Sequence, residues 1–389
     1  MKRKVVLAAA ALSLLAAPAV AADKVKIGFI ATFSGGAAIL GKHMRDGFDL
    51  ALDDLGHKIG GLPVEVVYGD DQVKPDVGRQ VVEAMIKRDK VDFVAGVIWS
   101  NVAMAIRNPL VESKTITVIT NAGASPLAGK ECSPYIFTTS WNNDQTPEAM
   151  GKLMLEDKVK DVYVMAPNYQ AGKDMIAGFK RVYKQKVKGE ILYPLNATDY
   201  QAELGQVRAA KPGALFIFAP GGMGVAFLKQ WYASGLAKQF PLYTVFTVDE
   251  TSFPAIGDAP LGSYTTSFWD SDAKFPANVR FLANFKKKYG YDPAMYAAQS
   301  YDAPFLIDSA VKAVKGDLTN KMGIIKAMEK ADYQSVRGPF QFNVNHVPIQ
   351  NFYRREVIRG AEGKPVLHTT GIVFADYKDA YYAQCKMKY

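Results

Sequence analysis

The stretch VDFVAGVIWSNVAMAIRNPLVESKTITVITNAGAS, residues 91–125, decides the fold class of this chain. It contains two short apolar runs, residues 91–97 and 115–120, and each run predicts a buried β-strand. The segment between them, residues 102–113, is helix-like. Two buried strands joined through a helix form the repeating unit of a parallel α/β sheet.

Small and hydroxylated residues follow both predicted strands. Trp99-Ser100-Asn101 follows the first, and Asn121-Ala122-Gly123-Ala124-Ser125 follows the second. Ligands of open α/β sheets bind beyond the carboxyl ends of the strands, where free N–H groups at helix starts favour an anion. We therefore expect Ser100 and the turn of residues 121–125 to bind the acidic group of a small molecule. Ser100 is also expected to cap a helix beginning near Val102, which is compatible with ligand contact.

The same alternation of strand and helix extends over most of the chain. It begins at residue 25, restarts after an extended segment at residues 135–141, and continues to residue 246. A chain of 389 residues is too long for one compact core and suits two domains. We therefore predict an α/β protein with two doubly wound lobes, although no sequence repeat relates the two halves.

The first 21 residues differ from the remainder. Lys2-Arg3-Lys4, an apolar run at residues 5–17 and Ala19-Val20-Ala21 form the pattern of a secretory signal peptide. A membrane span is the alternative, but it needs about 20 apolar residues and this run is shorter. Removing the leader subtracts its three basic residues from a formal charge of +9 and leaves +6. The remaining basic residues are scattered, so we predict an exported protein that does not bind nucleic acid.

Two cysteines, Cys132 and Cys385, are present. An even pair in an oxidising compartment predicts a disulfide, and two separate buried thiols are the alternative. The bridge would tie the C-terminal tail to the region just after the ligand turn. The four histidines show no metal-ligand spacing, and the turn at residues 221–224 lacks the glycine patterns of phosphate-binding loops. We predict neither a metal nor a cofactor.

Six segments give a more specific indication by their order along the chain. They are VKIGFIATFSGGAAILG near the start, Asp70-Asp71, VDFVAGVIWS, VITNAGASP, NYQAG at residues 168–172 and RGPFQF at residues 337–342. This series resembles the periplasmic type I solute-binding proteins of the branched-chain amino acid transport family, the binding components of ATP-driven importers. The resemblance covers nearly the whole chain after the leader.

The resemblance implies a fold of two lobes joined by three crossings, which lie near Trp141, Ser267 and Gly338. Lobe 1 is expected at residues 24–140 plus 267–337. Lobe 2 is expected at residues 141–266 plus 339–370, and residues 371–389 form a C-terminal tail. Such lobes close around a ligand by a hinge motion, and the closed form is read by the membrane permease. The expected protein is a periplasmic monomer.

The resemblance also assigns ligand positions. Ser100 matches the serine that binds the ligand's carboxylate, and Ala122 and Ala124 match the turn whose backbone groups complete the anion site. Tyr169 matches an aromatic residue of the second lobe that covers the ligand. Leu40 stands where an aromatic side chain is usual.

Two departures from the family pattern bear on the ligand. Ala124 stands where amino-acid binders often have threonine, and the acidic residue that meets the ligand's ammonium group does not align. Phe246 or Thr247 lies at that position, and Asp249 and Glu250 follow. An ammonium group is unfavourable to bury without an opposing carboxylate or several acceptors.

The remaining candidates for the cleft are apolar or aromatic. Together with Ser100 and Asn121 they are Phe33, Leu40, Trp99, Tyr169, Phe218 and Phe246. Aromatic walls with one anion site suit a small aromatic carboxylate of the benzoate or cinnamate type. A branched-chain or other hydrophobic amino acid is the alternative, favoured if Asp249 or Glu250 reaches the cleft, and a ligand-sensing module of the same fold is a second alternative. Ser100 lacks the setting of a catalytic serine, so we predict no enzymatic activity.

Overall fold

The computed structural model describes residues 23–389, so the predicted signal peptide lies outside the described residues. The first βα wind forms one sheet with the strand order β2-β3-β1-β4-β5-β6. Its elements are β1 (Val25–Ala31), α1 (Ala38–Asp54), β2 (Lys58–Ile59), β3 (Leu62–Asp70), α2 (Pro75–Lys87), β4 (Phe93–Gly96), α3 (Ser100–Glu112), β5 (Ile116–Ile119), α4 (Ser125–Ala128) and β6 (Ile136–Thr138).

The second wind repeats this alternation on a separate sheet. Its elements are α5 (Gln145–Glu156), β7 (Asp161–Pro167), α6 (Gln170–Val182), β8 (Lys186–Tyr193), α7 (Gln201–Ala210), β9 (Leu215–Phe218), α8 (Gly222–Ala233), β10 (Leu242–Val245), α9 (Phe253–Ile256) and β11 (Tyr264–Ser267). From β8 to β11 the strand order is β8-β7-β9-β10-β11, and neighbouring strands are parallel.

The chain then returns to the first sheet and afterwards to the second. Helix α11 packs against α1, whereas β13 pairs antiparallel with β11 and β14. The returning elements are α10 (Pro276–Tyr289), α11 (Met295–Ala313), α12 (Lys321–Lys330), β12 (Gln341–Phe342), β13 (Pro348–Arg359) and β14 (Pro365–Tyr377). None of the helices in residues 23–389 is both long and apolar enough to span a bilayer.

The central strands explain why the sequence forms this architecture. Strands β4 (FVAG), β5 (ITVI) and β9 (LFIF) are buried along their whole length, as expected for parallel strands covered by helices on both faces. The prediction of two doubly wound α/β lobes is confirmed. The strand order reverses between β1 and β4 in one sheet and between β7 and β9 in the other. Ligands of such sheets bind at these switch points, beyond the carboxyl ends of the strands.

The long hairpin of β13 and β14 differs from the expectation. The sequence predicts extended structure at residues 338–342 and 351–359 and ends lobe 2 at residue 370, whereas β14 continues to Tyr377. Most of β14 is half-buried or exposed, with few fully buried positions. An outer strand of this kind lacks the apolar alternation from which strands are recognised.

The loop before β13 contacts the first wind rather than the second. The N–H of Thr138 donates to the carbonyl of His346 at 3.0 Å, and the His346 ring stacks on Phe137 with centroids 3.9 Å apart. The sequence places the whole segment 339–370 in lobe 2. The apolar face of this loop is covered by β6 instead, because the segment crosses between the lobes at this point.

The predicted disulfide is present between Cys132 and Cys385, whose Cα atoms are 5.7 Å apart. It attaches the C-terminal tail, which leaves the second sheet after β14, to the end of the first wind. Before the bridge, the hydroxyl of Tyr381 donates to Asp144 at 2.7 Å and the Tyr381 ring lies 5.3 Å from the guanidinium of Arg181. The tail therefore contacts both lobes.

Candidate functional site

A cleft lies between the two sheets at the carboxyl ends of their strands. Its remaining free space is about 20 Å³, which is room for about one water molecule. The lobes are therefore closed tightly on one another. The cleft is lined by Leu40, Ile98, Trp99, Ser100, Asn121, Ala122, Trp141, Asn143, Tyr169, Ala171, Met175, Phe218, Pro220, Phe246 and Tyr296.

Ser100 supplies the cleft with a hydroxyl group at the start of α3. The expectation that it caps a helix beginning near Val102 is wrong, because the helix begins at Ser100 and the N-cap is Trp99. Ser100 is 1% exposed, and its Oγ accepts a hydrogen bond of 3.0 Å from Asn143 Nδ2. Since Asn143 is the donor, the hydroxyl proton of Ser100 remains available for an anion. The N–H groups of the first helical turn lack intrahelical acceptors and favour the same charge.

The turn after β5 contributes differently from the expectation. Ala122 lines the cleft, but its N–H donates to the carbonyl of Val97 at 3.1 Å and is not free for an anion. Ala124 is buried at the N-cap of α4 and lies outside the cleft lining. Of the two expected anion-binding positions, Ser100 at the start of α3 keeps a free donor in the cleft, whereas the turn after β5 does not.

Asn121 lines the cleft, and both ends of its amide are engaged with protein atoms. Its Nδ2 donates to the carbonyl of Ile98 at 2.8 Å, and its Oδ1 accepts from Gln299 Nε2 at 2.6 Å. These bonds join the exits of β4 and β5 to helix α11. Asn121 therefore positions the turn, and we call the surface formed by Ser100, Asn121 and Ala122 the polar wall.

Two residues at strand exits have a left-handed backbone. Val97 after β4 has φ of 61°, and Phe246 after β10 has φ of 54°. A bulky residue with positive φ is strained, and such positions persist only where the surrounding structure holds them. Val97 directly precedes lining residue Ile98 on one side of the cleft, and Phe246 itself lines the other side.

The second wind covers the cleft with aromatic rings. Tyr169, at the N-cap of α6, contacts Trp99 edge to face with ring centroids 5.7 Å apart. Tyr169 also lies 6.3 Å from Phe218, which in turn lies 6.0 Å from Phe246. We call the surface of Tyr169, Phe218 and Phe246 the aromatic wall. Trp99 is anchored in the first lobe, because its Nε1 donates to Thr32 Oγ1 at 2.8 Å.

The lobes touch through glycine backbones beside the cleft. A Cβ atom at Gly222 would lie 2.7 Å from the carbonyl oxygen of Gly36, and one at Gly221 would lie 3.2 Å from Leu40. Leu40 is fully buried and lines the cleft, as expected. Phe33 does not reach the cleft, since its ring contacts Tyr68 and the guanidinium of Arg45 on the outer side of the strand end.

A buried carboxylate lies close to Ser100, and Asn143 separates the two groups. Asp174 of α6 accepts hydrogen bonds from Asn143 Nδ2 at 2.9 Å and from the N–H of Ser125 at 3.1 Å. Burial raises the pKa of Asp174. The bond to Ser125 runs from one lobe to the other and fixes their closed arrangement. Among the described residues, no lysine or arginine lines the cleft.

The two acidic residues that would favour an amino-acid ligand lie outside the cleft lining. Asp249 is buried behind Phe246 and accepts from the N–H and hydroxyl of Thr251 at 2.8 and 2.5 Å. Glu250 lines an outer groove. Burial raises the pKa of both carboxyls, in Glu250 to about 7.

Seven lining residues were not predicted from the sequence, and three of them, Trp141, Asn143 and Tyr296, carry polar side-chain atoms. Trp141 was recognised only as a hinge crossing, and Asn143 belongs to the same crossing, where a polar Trp-Asn-Asn-Asp run was the available signal. Tyr296 starts a buried helix, and the sequence carries no mark of its position beside the cleft. All three lie outside the strand-exit turns on which the expectation rested.

Two α/β lobes that close over a small cleft define a solute-binding protein. The family model described as "Periplasmic binding protein" matches residues 24–362, and the chain belongs to this family. The chain is 30% identical over 374 residues to a Leu/Ile/Val-binding protein homolog 6 of Brucella melitensis, covering 93% of this chain and 94% of that protein. The predicted family is therefore confirmed, and membership implies a periplasmic protein.

Solved structures of similar proteins share the fold closely. A solute-binding protein of an ABC transporter from R. palustris, in complex with benzoate, is 32% identical, with a TM-score of 0.88 and coverage of 93% and 99% of the two chains. Another, from Rhodopseudomonas palustris BisB5 in complex with 3,4-dihydroxybenzoic acid, is 28% identical, with a TM-score of 0.87 and coverage of 92% and 99%. The class predicted for this chain, a binding component of an ABC importer, is confirmed.

Proposed function

We propose that this protein captures a small aromatic carboxylate, of the benzoate or cinnamate type, and delivers it to the permease of an ABC importer. The observation that carries the proposal is a buried hydroxyl, Ser100, at a helix start inside an otherwise aromatic cleft. The carboxylate binds at Ser100, and the ring lies against Tyr169, Phe218 and Phe246. Benzoate and dihydroxybenzoate in the similar structures support the same ligand class.

The anion site needs no cationic side chain. A hydroxyl that donates to a carboxylate forms a charge-assisted hydrogen bond, about twice as strong as a neutral one. The first turn of α3 adds N–H groups and the positive end of its dipole. Asn143 holds the Ser100 oxygen from the other side, so that the proton is directed away from the amide.

A hydrophobic amino acid is the second candidate. Its support comes from the names of the relatives, Leu/Ile/Val-binding protein homologues, and from Asp249, whose Oδ2 is buried and finds no partner among the described residues. Phe246 separates Asp249 from the cleft, however, and an ammonium group beside Ser100 would meet no carboxylate in the lining. This arrangement favours a ligand without an ammonium group.

Ligand entry requires the lobes to separate, since about 20 Å³ does not accommodate an aromatic ring. We propose hinge crossings near Trp141, Ser267 and Gly338, between lobe 1 at residues 24–140 plus 267–337 and lobe 2 at residues 141–266 plus 339–370, to which the end of β14 adds residues 371–377. Closure forms the bond of Asp174 to Ser125 and the contact of Tyr169 with Trp99. We further propose export by residues 1–21 and a monomeric state.

Isothermal titration calorimetry with benzoate, cinnamate, leucine, isoleucine and phenylalanine tests the ligand class. The protein is first unfolded and refolded to remove any ligand carried through purification. We expect heat from the aromatic acids and none from leucine or isoleucine at the same concentration. Binding of leucine or isoleucine alone would overturn the proposal in favour of the amino-acid candidate.

A Ser100→Ala variant tests the anion site. Loss of a hydrogen bond to a charged group weakens binding by roughly 1.5–3 kcal/mol. Ser113→Ala is the matched control, because Ser113 lies at the other end of α3 and bonds only to that end of the helix and to Thr115. Equal affinities of the two variants would place the carboxylate elsewhere.

A further inference from the structure

Two buried polar atoms that belong to cleft-lining residues have no hydrogen-bond partner among residues 23–389. They are the indole Nε1 of Trp141 and the hydroxyl of Tyr296. Both residues line the cleft, and they are only 3% and 1% exposed. Buried polar groups are nearly always hydrogen-bonded, and an exception in a binding cleft indicates a partner supplied by the ligand or by an ordered water.

Packing holds both side chains in place independently of hydrogen bonds. The Trp141 ring lies 4.5 Å from the Phe246 ring with an interplanar angle of 21°, and 5.1 Å from Phe268. Tyr296 lies in the first turn of the buried helix α11. Burial, followed by the nearby charge of Asp249, raises the pKa of Tyr296 well above its ordinary value, so its hydroxyl remains protonated and able to donate.

We infer that Trp141 and Tyr296 recognise a hydroxyl group on the ring of the ligand, which makes the preferred ligand a hydroxylated aromatic carboxylate. This inference rests on the proposed function. A ring hydroxyl accepts from the indole N–H, which is a donor only, and it exchanges a hydrogen bond with the Tyr296 hydroxyl in either direction. Trp141 and Tyr296 are then specificity-determining residues.

Other substituents fit these two atoms less well. A second carboxylate on the ligand would be buried without a cation in the lining. The charge of Asp249, which acts on Tyr296, would also repel it. An ammonium group offers no acceptor to the indole N–H. A hydrogen or methyl substituent leaves both donors unpaired, and a site built to bind a hydroxyl discriminates strongly against an analogue that lacks it.

The test compares 3- and 4-hydroxybenzoate with the methylbenzoates of the same substitution by calorimetry. We expect at least one hydroxybenzoate to bind roughly tenfold or more tightly than its methyl counterpart. In Tyr296→Phe the ratio of hydroxybenzoate affinity to methylbenzoate affinity should fall to less than about a third of its original value. This variant keeps the ring and removes only the hydroxyl. Trp141→Phe is expected to reduce the ratio in the same direction.

Tyr289→Phe and Trp231→Phe are the matched controls. Both lose a buried polar atom that also has no partner among the described residues, and neither residue lines the cleft. The ratio should stay unchanged in both. If Trp141→Phe fails to fold, Tyr296→Phe alone decides.

The possible outcomes separate this inference from the proposed function. Tight binding of benzoates with no preference for a hydroxyl, or a preference that survives Tyr296→Phe, would overturn the inference and leave the proposed function standing. Failure of every benzoate to bind the unmodified protein would overturn both.

Discussion

The polar wall and the aromatic wall arise from the same architecture and perform opposite tasks. Each consists of residues at the carboxyl ends of parallel strands, and each strand end includes a residue with a left-handed backbone, Val97 in one lobe and Phe246 in the other. The first lobe presents a hydroxyl and a helix start, whereas the second presents rings. Under the proposed function, two copies of one architecture would divide anion binding and ring binding between them.

The division has a physical reason. An anion site depends on groups held at fixed positions, and the polar wall is fixed by Asn121, which bonds to Ile98 and Gln299 within its own lobe. A ring is held by contact area, which needs less exact direction and tolerates a surface that arrives by hinge closure. Asn143 of the crossing links the two lobes, because its amide donates to Ser100 in one lobe and to Asp174 in the other.

Of the variants considered, Asn143→Asp should have the largest effect on affinity for the ligand. It replaces an amide by a carboxylate of the same shape, 3.0 Å from Ser100 Oγ and beside Asp174. The new carboxylate and the carboxylate of the ligand would lie a few ångströms apart. Two such charges repel by about 4 kcal/mol at an effective dielectric constant near 20, so affinity for an anion should fall about 100-fold or more at pH 7. Calorimetry at pH 7 and pH 5 should show partial recovery at the lower pH.

The control is Asn108→Asp, which makes the same change on the exposed side of α3. It should alter affinity by less than about twofold, since exposed charges are screened. A similar loss in both variants would mean that net charge, rather than the polar wall, governs binding.

Removal of the disulfide by Cys132→Ser with Cys385→Ser tests whether the tail supports the walls or only the fold. We expect the free energy of unfolding to fall by about 2–4 kcal/mol, as is usual for a native bridge. Affinity should change much less, because the tail does not line the cleft. Urea unfolding and calorimetry on the same samples measure both quantities.

A reducing agent provides the control for the bridge. It should reproduce the loss of stability in the unmodified protein and leave the double variant unchanged. If the free energy of binding falls as much as the free energy of unfolding, the tail influences the polar wall. The route would be Tyr381, which bonds to Asp144, and Ser125, which bonds to Asp144 at 2.5 Å.

Tyr169→Ala tests the aromatic wall. Truncation of a buried aromatic residue in a binding site commonly weakens binding by about 2 kcal/mol, or about 30-fold. Tyr232→Ala, a half-buried tyrosine of the same lobe outside the cleft, should bind normally. If calorimetry shows that Tyr169→Ala binds benzoate as tightly as the unmodified protein, the ring of the ligand does not lie against this wall.

The smallest effect concerns Glu148 of α5, which is buried against Arg181. Burial raises the pKa of Glu148 to about 7 from an ordinary value of 4.5, with Arg181 opposing the shift. The folded protein therefore binds this proton more tightly than the unfolded chain. Protonation of Glu148 therefore stabilises the folded protein fully below pH 4.5, and this stabilisation is lost as the pH rises through about 7.

Glu148→Gln should flatten this dependence, because a glutamine does not titrate. Between pH 5 and pH 8 the unmodified protein should lose on the order of 1 kcal/mol relative to Glu148→Gln, measured by urea unfolding at each pH. Glu83→Gln, a helix-surface carboxyl whose pKa is lowered by Arg79 and Lys87, should not flatten the profile in this range. Parallel profiles for Glu148→Gln and the unmodified protein would contradict the assignment.

Much of the fold was predictable because buried parallel strands carry continuous apolar runs. Segments such as FVAG and LFIF are recognised without knowing their neighbours. Strand β14 was not, since its burial comes from one partner strand and leaves no periodic pattern. The disulfide was predictable because only one pairing of two cysteines exists.

The site was predictable only where it follows a strand exit. Ser100, Asn121, Ala122, Leu40, Trp99, Tyr169 and Phe246 all line the cleft as expected. Phe33 was misplaced, because the side of a strand end to which a ring turns depends on its neighbours in space. Asn143 and Tyr296 were missed, since their chain positions, 43 residues from Ser100 in the first case, acquire meaning only when the lobes close.

The glycine contact between the lobes offers a way to hold this protein open. A methyl group at Gly222 would lie 2.7 Å from the carbonyl of Gly36, closer than a Cβ atom tolerates, and it touches no atom of the cleft. Gly222→Ala would therefore act as a wedge that disfavours closure while leaving every ligand-contacting group intact. With fluorophores on the two lobes, such a variant would supply the open reference state for an optical sensor. In that sensor the fraction of closed protein reports the ligand concentration, because ligand binding must offset the free energy that the added methyl group costs on closure.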